Sequence, residues 1–356
     1  MSHRLKAPVA YSFKSKMEIQ YDNPNEVGMT GLLGMASGYN SMHAADVLVL
    51  LGTDFPYGPF LPTHNKIVQI DIDPSHLGRR AKVQMGLCGD IKTTLEALLP
   101  LLQAKSDKSF LNDQLLGYSK VIKDLNAYVE NKGSDNKIHP EYVMAMVDET
   151  AQANAIFTVD TGMTCVWGAR YLKASGQRKM LGSFNHGTMA NAMPQAIGAS
   201  FAYPGRQVIA LCGDGGISML LGDLATIAQY KLPVKIIVFN NRSLVKLEME
   251  VAGLPDNETD MQNPDFALVA QAMGIKSYTV SRPDDVLPVL VEALNSPEAA
   301  LLNVMTDPNA LAMPPQIEWN QMTGFAQAMY KMLLTGRTQE IIDTINSNYK
   351  HLKEIL

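Results

Sequence analysis

Six short apolar runs each end at glycine, an acid or asparagine. They are "VLVLLGTD" (Val47–Asp54), "KIVQIDIDP" (Lys66–Pro74), "AIFTVDTG" (Ala155–Gly162), "VIALCGDGG" (Val208–Gly216), "VKIIVFNN" (Val234–Asn241) and "ALLNVMTD" (Ala300–Asp307). Val/Ile/Leu runs without polar alternation suit strands covered on both faces, as in a parallel sheet. Helix-period segments lie between them. Ile217–Leu232 places Leu220, Leu221, Leu224, Ile227 and Ala228 on one face, and Asp284–Asn295 does so with Val286, Leu287, Leu290 and Leu294. This alternation predicts an α/β fold with parallel sheets, flanking helices and right-handed crossovers.

The runs form two blocks, and 356 residues have room for two domains. The first block ends near Leu102. A helical stretch (Phe110–Lys132) and "GSDNK" (Gly133–Lys137) follow as an expected linker. The second block opens at "IHPEYV", where Pro140 suits the first turn of a helix. The expected organisation is a domain over 1–107, a helix-bearing linker over 108–137, a second domain over 138–311 and a helical tail over 312–356. No apolar run is long enough to span a bilayer, and the start shows no signal-peptide core. A net charge of −5 argues against a nucleic-acid footprint. Cys88, Cys165 and Cys212 lack metal or disulfide spacing and read as small hydrophobes in a reducing compartment, the cytoplasm.

The most chemically pointed stretch is "LCGDGGISML" (Leu211–Leu220). Strand, glycine-rich turn and helix make a phosphate-site arrangement, because glycines admit a ligand close to the backbone and a helix start favours negative charge. A carboxylate at Asp214 would repel a phosphate unless a divalent cation stood between them. Mg²⁺ suits that place, being hard, oxygen-liganded and often shared with a diphosphate. The next strand ends in Asn240 and Asn241, which bring further oxygens to the carboxyl edge of the same sheet, where such sheets bind ligands. Either feature alone is ordinary turn chemistry. Together, with a helix and a strand between them, they are specific.

At this spacing the pair resembles the thiamin-diphosphate signature, GDG followed about two dozen residues later by NN. The resemblance covers nearly all the chain. "YDNPNEVGMTGLLG", "VLVLLGTDFPYGPF" and "VQIDIDP" resemble the FAD-binding middle domain of the pyruvate oxidase group. "GSFNHGTMANAMPQAIGA" and "GDGGISM…VKIIVFNN" resemble its thiamin-diphosphate domain, and "AMPPQI" with the last helix resembles the tail of its quinone-linked members. The resemblance implies three Mg²⁺ ligands: the Asp214 and Asn241 side chains and the Ser243 carbonyl. It implies that Gly187, Thr188, Met189, Gly213, Gly215 and Gly216 line thiamin diphosphate, with Met189 as the apolar prop that bends it. A plain core methionine is the alternative in a chain with 21 of them. Asp160 and Gly162 face the same site or form a simple turn. For FAD the matching positions are Thr30, Gly31, Leu32, Leu33, Thr53, Asp54, Phe55, Pro56, Tyr57 and Asp71. Asp71 either caps its strand or binds a ribose hydroxyl, and the resemblance favours the hydroxyl. His186 and Glu248 lie near the site in sequence without an assignable role.

Two departures from the family pattern matter. The N-terminal pyrimidine domain, which holds the activating glutamate, has no counterpart here. No catalytic residue is therefore assignable, and the chain is expected to be a fragment that is inactive by itself. After Asn241 the chain reads "NNRSLVKLEME", two residues short of the family loop over the cofactor. The implied activity of the full enzyme is oxidative decarboxylation of pyruvate to acetate and CO₂ through hydroxyethyl-thiamin diphosphate. Electrons pass to FAD and then to a quinone. An acetolactate-synthase-like carboligase is the alternative enzyme, and a cofactor-binding module without turnover is the alternative of another class. In the tail, Ile341, Ile342, Ile345, Tyr349, Leu352 and Ile355/Leu356 share a helical face. That suits a helix lying on the inner face of the cell membrane or one docked on its own domain. The family assembles as dimers or tetramers.

Overall fold

The computed structural model describes residues 1–54, 58–244, 249, 253–254, 259–310 and 319–355; side chains at 59, 319–325 and 349–355 lie outside that description. Phe55, Pro56, Tyr57, Glu248 and "AMPPQI" (Ala312–Ile317) therefore lie outside the described residues. The rest groups into two compact units, Met1–Leu125 and Asn126–Met313 with Ile317–Leu356.

The first unit contains α1 (Ser2–Leu5), β1 (Val9–Tyr11), α2 (Lys16–Ile19), β2 (Glu26–Met29), α3 (Ala36–Ala44), β3 (Val47–Leu51), β4 (Lys66–Asp71), β5 (Met85–Cys88) and α4 (Ile91–Leu98). β1 and β2 pair in parallel, and β3, β4 and β5 form a second parallel sheet. α3 approaches β2 so closely at Gly38 that a Cβ there would stand 2.5 Å from the Met29 carbonyl oxygen. The expectation of strands covered on both faces fails in this unit. Leu50, Leu61 and Ile67 make a small core, yet Val47 and Leu51 are 49% and 38% exposed and all of β5 is exposed. The described crossovers from β3 to β4 and from β4 to β5 carry only single 3₁₀ turns, Gly58–Phe60 and Pro74–His76, which cannot cover a sheet face.

A 21-residue helix, α5 (Ser109–Val129), runs through the boundary between the units. Gly133–Lys137, expected as a linker, instead forms the hairpin of β6 (Gly133–Ser134) and β7 (Lys137–Ile138). Asn136 takes the left-handed conformation (φ 60°) that asparagine tolerates at a tight turn, and its N–H donates to the Ser281 carbonyl at 2.6 Å.

The second unit continues with α6 (Pro140–Thr150), β8 (Ile156–Val159), α7 (Met163–Tyr171), β9 (Lys179–Gly182), α8 (Ala192–Ala202), β10 (Val208–Gly213), α9 (Asp214–Met219), α10 (Asp223–Gln229), β11 (Lys235–Asn240), α12 (Phe266–Ala272), β12 (Lys276–Val280), α13 (Pro283–Asn295) and β13 (Ala300–Met305). One fully parallel sheet runs in the order β12-β13-β11-β10-β8-β9. Alternate residues point to opposite faces. Ile156, Val208, Ala210, Cys212, Ile236 and Val238 pack with Ala192, Met193 and Ala196 of α8, Leu224 and Ile227 of α10, and Phe266 of α12. The other set, including Phe157, Val159, Ile209, Leu211 and Ile237, is equally buried, on the side served by α6, α7 and α13. Here the apolar runs are covered on both faces. The expected helix over Ile217–Leu232 is two helices, α9 and α10, broken around Leu220 (φ −126°). The break takes Leu220 off the apolar face and leaves it 41% exposed, while Leu224 and Ile227 stay fully buried. After β8 the chain goes to β9 on one side and then to β10 on the other. That reversal makes a crevice at the carboxyl ends of β8 and β10.

Two helices close the chain, α14 (Trp319–Leu334) and α15 (Thr338–Ile355). α15 is fastened to the second unit by polar groups. Ser347 Oγ donates to Asp307 at 2.6 Å, Asn348 Nδ2 to the Asn309 carbonyl at 2.6 Å, and Lys137 Nζ to Asp343 at 2.6 Å. Ile342 and Ile345 stay 44% and 46% exposed. Non-helical angles at Asn348 (φ −117°, ψ 15°) kink the helix, and the side chains of Tyr349, Leu352, Ile355 and Leu356 on the expected apolar face lie outside the described residues. Among the described residues no helix is long and apolar enough to cross a membrane.

Glu141 on α6 is fully buried, and desolvation pushes its carboxyl up to about 8, against an opposing pull from the Arg170 guanidinium. Between the ordinary 4.5 and about 8 the folded chain holds a proton that the unfolded chain releases, so stability falls as pH rises through that window. Glu141→Gln is expected to flatten the dependence of urea-unfolding free energy on pH between 5 and 8 and to raise stability at the upper end. An unchanged pH slope would show that Glu141 ionises freely.

Candidate functional site

Four loops meet at the carboxyl edge of the second sheet. The first follows β8. Asp160 is buried there, with Oδ1 accepting from the Ala192 N–H at 2.9 Å and Oδ2 without a hydrogen-bond partner among the described residues. Burial pushes its carboxyl up to about 6, opposed by N–H groups of Ala192, Gly213 and Asn191. Gly162 takes φ 117°, open only to glycine, as β8 turns into α7. The second loop precedes α8. Gly187 takes φ 65°, and Met189 reaches the third loop.

That third loop is the "GDGG" stretch. α9 begins at Asp214 itself, so Gly215 and Gly216 lie within its first turn rather than ahead of a helix at Ile217. A Cβ on Gly215 would stand 3.0 Å from Met189 Cε, 3.3 Å from Leu244 Cδ1 and 3.8 Å from Met261 Sδ. One on Gly216 would stand 2.2 Å from Asp160 Oδ2. The glycines thus let three loops converge, and an apolar cluster caps the turn.

The fourth loop follows β11. β10 and β11 are hydrogen-bonded neighbours, with Gly213 paired to Phe239, so Asp214 and Asn240–Asn241 leave adjacent strand ends. Asp214 is buried. Its Oδ2 accepts from the Arg242 N–H and from Asn263 Nδ2, both at 2.8 Å, and its Oδ1 accepts from the Gly215 N–H at 2.9 Å. Desolvation raises the Asp214 carboxyl above its ordinary range, and these donors pull against the shift. Asn241 Oδ1 accepts from the Ser243 N–H at 3.0 Å. Ser243 is buried and bridges to Asp260, and its Oγ has no hydrogen-bond partner among the described residues.

These residues fit a hard divalent cation. A desolvated carboxylate, an amide oxygen one strand away and a buried hydroxyl-bearing turn are oxygen donors short of positive charge. Among the described residues no group of three or more His, Cys, Asp and Glu could hold a metal, so the donor set here is mixed, with a single carboxylate.

Of the expected residues, Asp160, Gly162, Gly187, Met189, Gly213, Asp214, Gly215, Gly216, Asn241 and Ser243 all lie on these four loops. Thr188 is on the second loop but exposed, its hydroxyl donating to the Met189 carbonyl at 3.1 Å. Asn263, Arg242, Leu244 and Met261 were not anticipated. Asn263 lies in "MQNPDF", a turn-forming stretch with nothing in its pattern to mark a site residue.

The flavin positions of the first unit look different. Thr30 and Gly31–Leu33 make a tight turn closed by the Gly34 N–H on the Gly31 carbonyl at 2.8 Å. Thr53 and Asp54 follow β3, and Asp54 is engaged by Arg79 and Arg80. Asp71 is buried and accepts from the Asp73 N–H at 2.9 Å, with His76 Nδ1 3.3 Å away. The Asp73 N–H contact to Oδ1 is that of a strand-end cap. No observation on these residues carries a flavin.

Comparison with known proteins matches residues 160–304 to the C-terminal TPP-binding domain of thiamine pyrophosphate enzymes and residues 1–98 to their central domain. The Bacillus subtilis (strain 168) protein YdaP, described as thiamine pyrophosphate-containing, is 33% identical over 94% of this chain and 58% of its own length. The acetolactate synthase large subunit of Pyropia yezoensis is 30% identical over 90% of this chain and 56% of its own. Acetolactate synthase 1, chloroplastic, of Zea mays is 29% identical over 86% and 51%. The chain thus spans between half and three-fifths of the length of these relatives.

Gly216→Ala should force Asp160 off the Ala192 N–H and cost about 1–3 kcal/mol of unfolding free energy, as overpacking does. Urea titration at fixed pH measures it. A variant as stable as the parent would show that Asp160 is free to move aside.

Proposed function

The chain belongs to the thiamine pyrophosphate enzyme family, and on that premise we propose that it anchors the cofactor of an enzyme joining 2-oxo acids, a carboligase of the acetolactate-synthase type. In this reading pyruvate loses CO₂, and the two-carbon unit left behind is joined to a second 2-oxo acid. Bound thiamin diphosphate supplies the electron sink for that chemistry. The chain's own residues bind and orient. Asp214, Asn241 and Ser243 would hold Mg²⁺, which offsets the diphosphate charge. Gly215 and Gly216 keep the turn open beside it, and Met189 presents an apolar surface there.

The observation that carries this reading is the Asp214 carboxylate buried beside Asn241 at neighbouring strand ends. The acetolactate-synthase names of relatives aligned over most of the chain support carboligation over oxidation. In this reading the activating glutamate comes from outside the span of this chain. The span described here is therefore expected to bind Mg²⁺ and thiamin diphosphate without turning over. Supplied with pyruvate, it should yield neither acetolactate nor acetate above background, whereas a longer protein that includes it should yield acetolactate. Acetate formation with bleaching of a bound flavin in that longer protein would replace carboligation by pyruvate oxidation.

The oxidase reading has one observation of its own, the exposed Ile342 and Ile345 on a helix held from its other side by polar contacts. Under it FAD and a quinone take the electrons, and α15 rests on the inner face of the cell membrane. In either reading the enzyme is a homo-oligomer. Lipid-vesicle cosedimentation of the chain with and without residues 338–356 tests the membrane contact. Binding lost with the tail supports it, and equal binding refutes it.

A further inference from the structure

The Asp214 carboxylate is held by a directional chain of amides. A carboxylate oxygen only accepts, so the Asn263 head group 2.8 Å from Asp214 Oδ2 must present its NH₂. The same nitrogen lies 2.9 Å from an Asn240 side-chain atom, which must then be the acceptor Oδ1. Asn240 therefore turns its own NH₂ the other way, onto Asn303 Oδ1 at 2.9 Å. Asn240 and Asn303 are 2% and 3% exposed, so the bond between them is shielded from solvent. One carboxylate thus sets the orientation of three amides across β11, β13 and the loop ahead of α12.

The consequence lies in which oxygen is left for a metal. Oδ2 has two lone-pair directions, and both are taken, by the Arg242 N–H and by Asn263. Among the described residues Oδ1 accepts a hydrogen bond from the Gly215 N–H of its own turn and from no other segment, which keeps one direction open. A carboxylate fixed in this way offers a cation one oxygen, not two. Mg²⁺ demands near-octahedral geometry and accepts single oxygens, whereas Ca²⁺ takes more ligands and accepts bidentate carboxylates.

We propose that Asn263 is a positioning residue that fixes the Asp214 carboxylate for one-oxygen coordination and thereby sets a preference for Mg²⁺ over Ca²⁺. The proposal rests on the metal site proposed above. Arg242 contributes through its backbone N–H, so Asn263 is the side chain through which the arrangement can be altered.

Calorimetric titration of thiamin diphosphate into the intact chain, once in Mg²⁺ and once in Ca²⁺, tests it. Asn263→Ala and the similarly sized Asn263→Leu are expected to weaken Mg²⁺-supported binding about 10–100-fold, the usual effect of losing a partner of a metal ligand. They should weaken Ca²⁺-supported binding less, so the Mg²⁺/Ca²⁺ affinity ratio falls. The ratio is taken within each variant, so a general loss of stability cancels. Asn303→Ala, which does not touch Asp214, should leave the ratio unchanged. An Asn263 variant whose ratio equals the parent's overturns the proposal and leaves the metal site standing. A parent chain that binds no thiamin diphosphate with either metal overturns both.

Discussion

A carboxylate that has lost its water must find hydrogen bonds or a cation, and the arrangement around Asp214 follows from that need. Its three N–H donors come from its own turn, from the loop after the neighbouring strand and from a residue 49 positions away. Each donor draws a segment inward. The Gly215 bond accompanies the start of α9 at Asp214 itself. The Arg242 bond ties in the end of β11, and Asn263 brings the loop before α12 over the site. Burial still raises the carboxyl above its ordinary range despite these bonds.

The sheet makes this possible by presenting strand ends in a defined order. β8, β10 and β11 are adjacent and parallel, so Asp160, Asp214 and Asn241 emerge on one edge. The chain reverses its direction of travel at β8, which opens the crevice there. Asp160 braces the crevice from the other side. It binds the start of α8 and fills the space that a side chain at position 216 would need. The glycines are thus required by packing within the protein as well as by whatever approaches from outside.

Much of this was legible in the sequence. All six apolar runs are strands, because continuous Val, Ile and Leu carry a signal that needs no tertiary context. The Asp214–Asn241 pairing was legible because each sits just past such a run. Shorter or more polar strands were not. β9 (Lys179–Gly182) and β12 (Lys276–Val280) lie at the sheet edges, where apolar continuity is not needed. The break between α9 and α10 was missed because Leu220 and Leu221 continue a helical period that the chain abandons. Covering of both faces holds in the second unit and fails in the first, since sequence shows that a strand is apolar but not whether enough helix exists to cover it. At Asp71 the hydrogen bond that closes the turn was legible as an ordinary strand-end cap. Asn263 had no period, repeat or motif to mark it; only the fold brings it to Asp214.

In the proposed site Asp214 and Asn241 hold a divalent cation that in turn holds a diphosphate. The most direct measurement compares thiamin diphosphate affinity with and without Mg²⁺ for the parent chain and for Asp214→Asn. Binding by the parent is expected to depend on Mg²⁺, and that dependence to be lost in the variant. Equal affinity with and without the metal in the parent, or an undiminished Mg²⁺ requirement in Asp214→Asn, would contradict it.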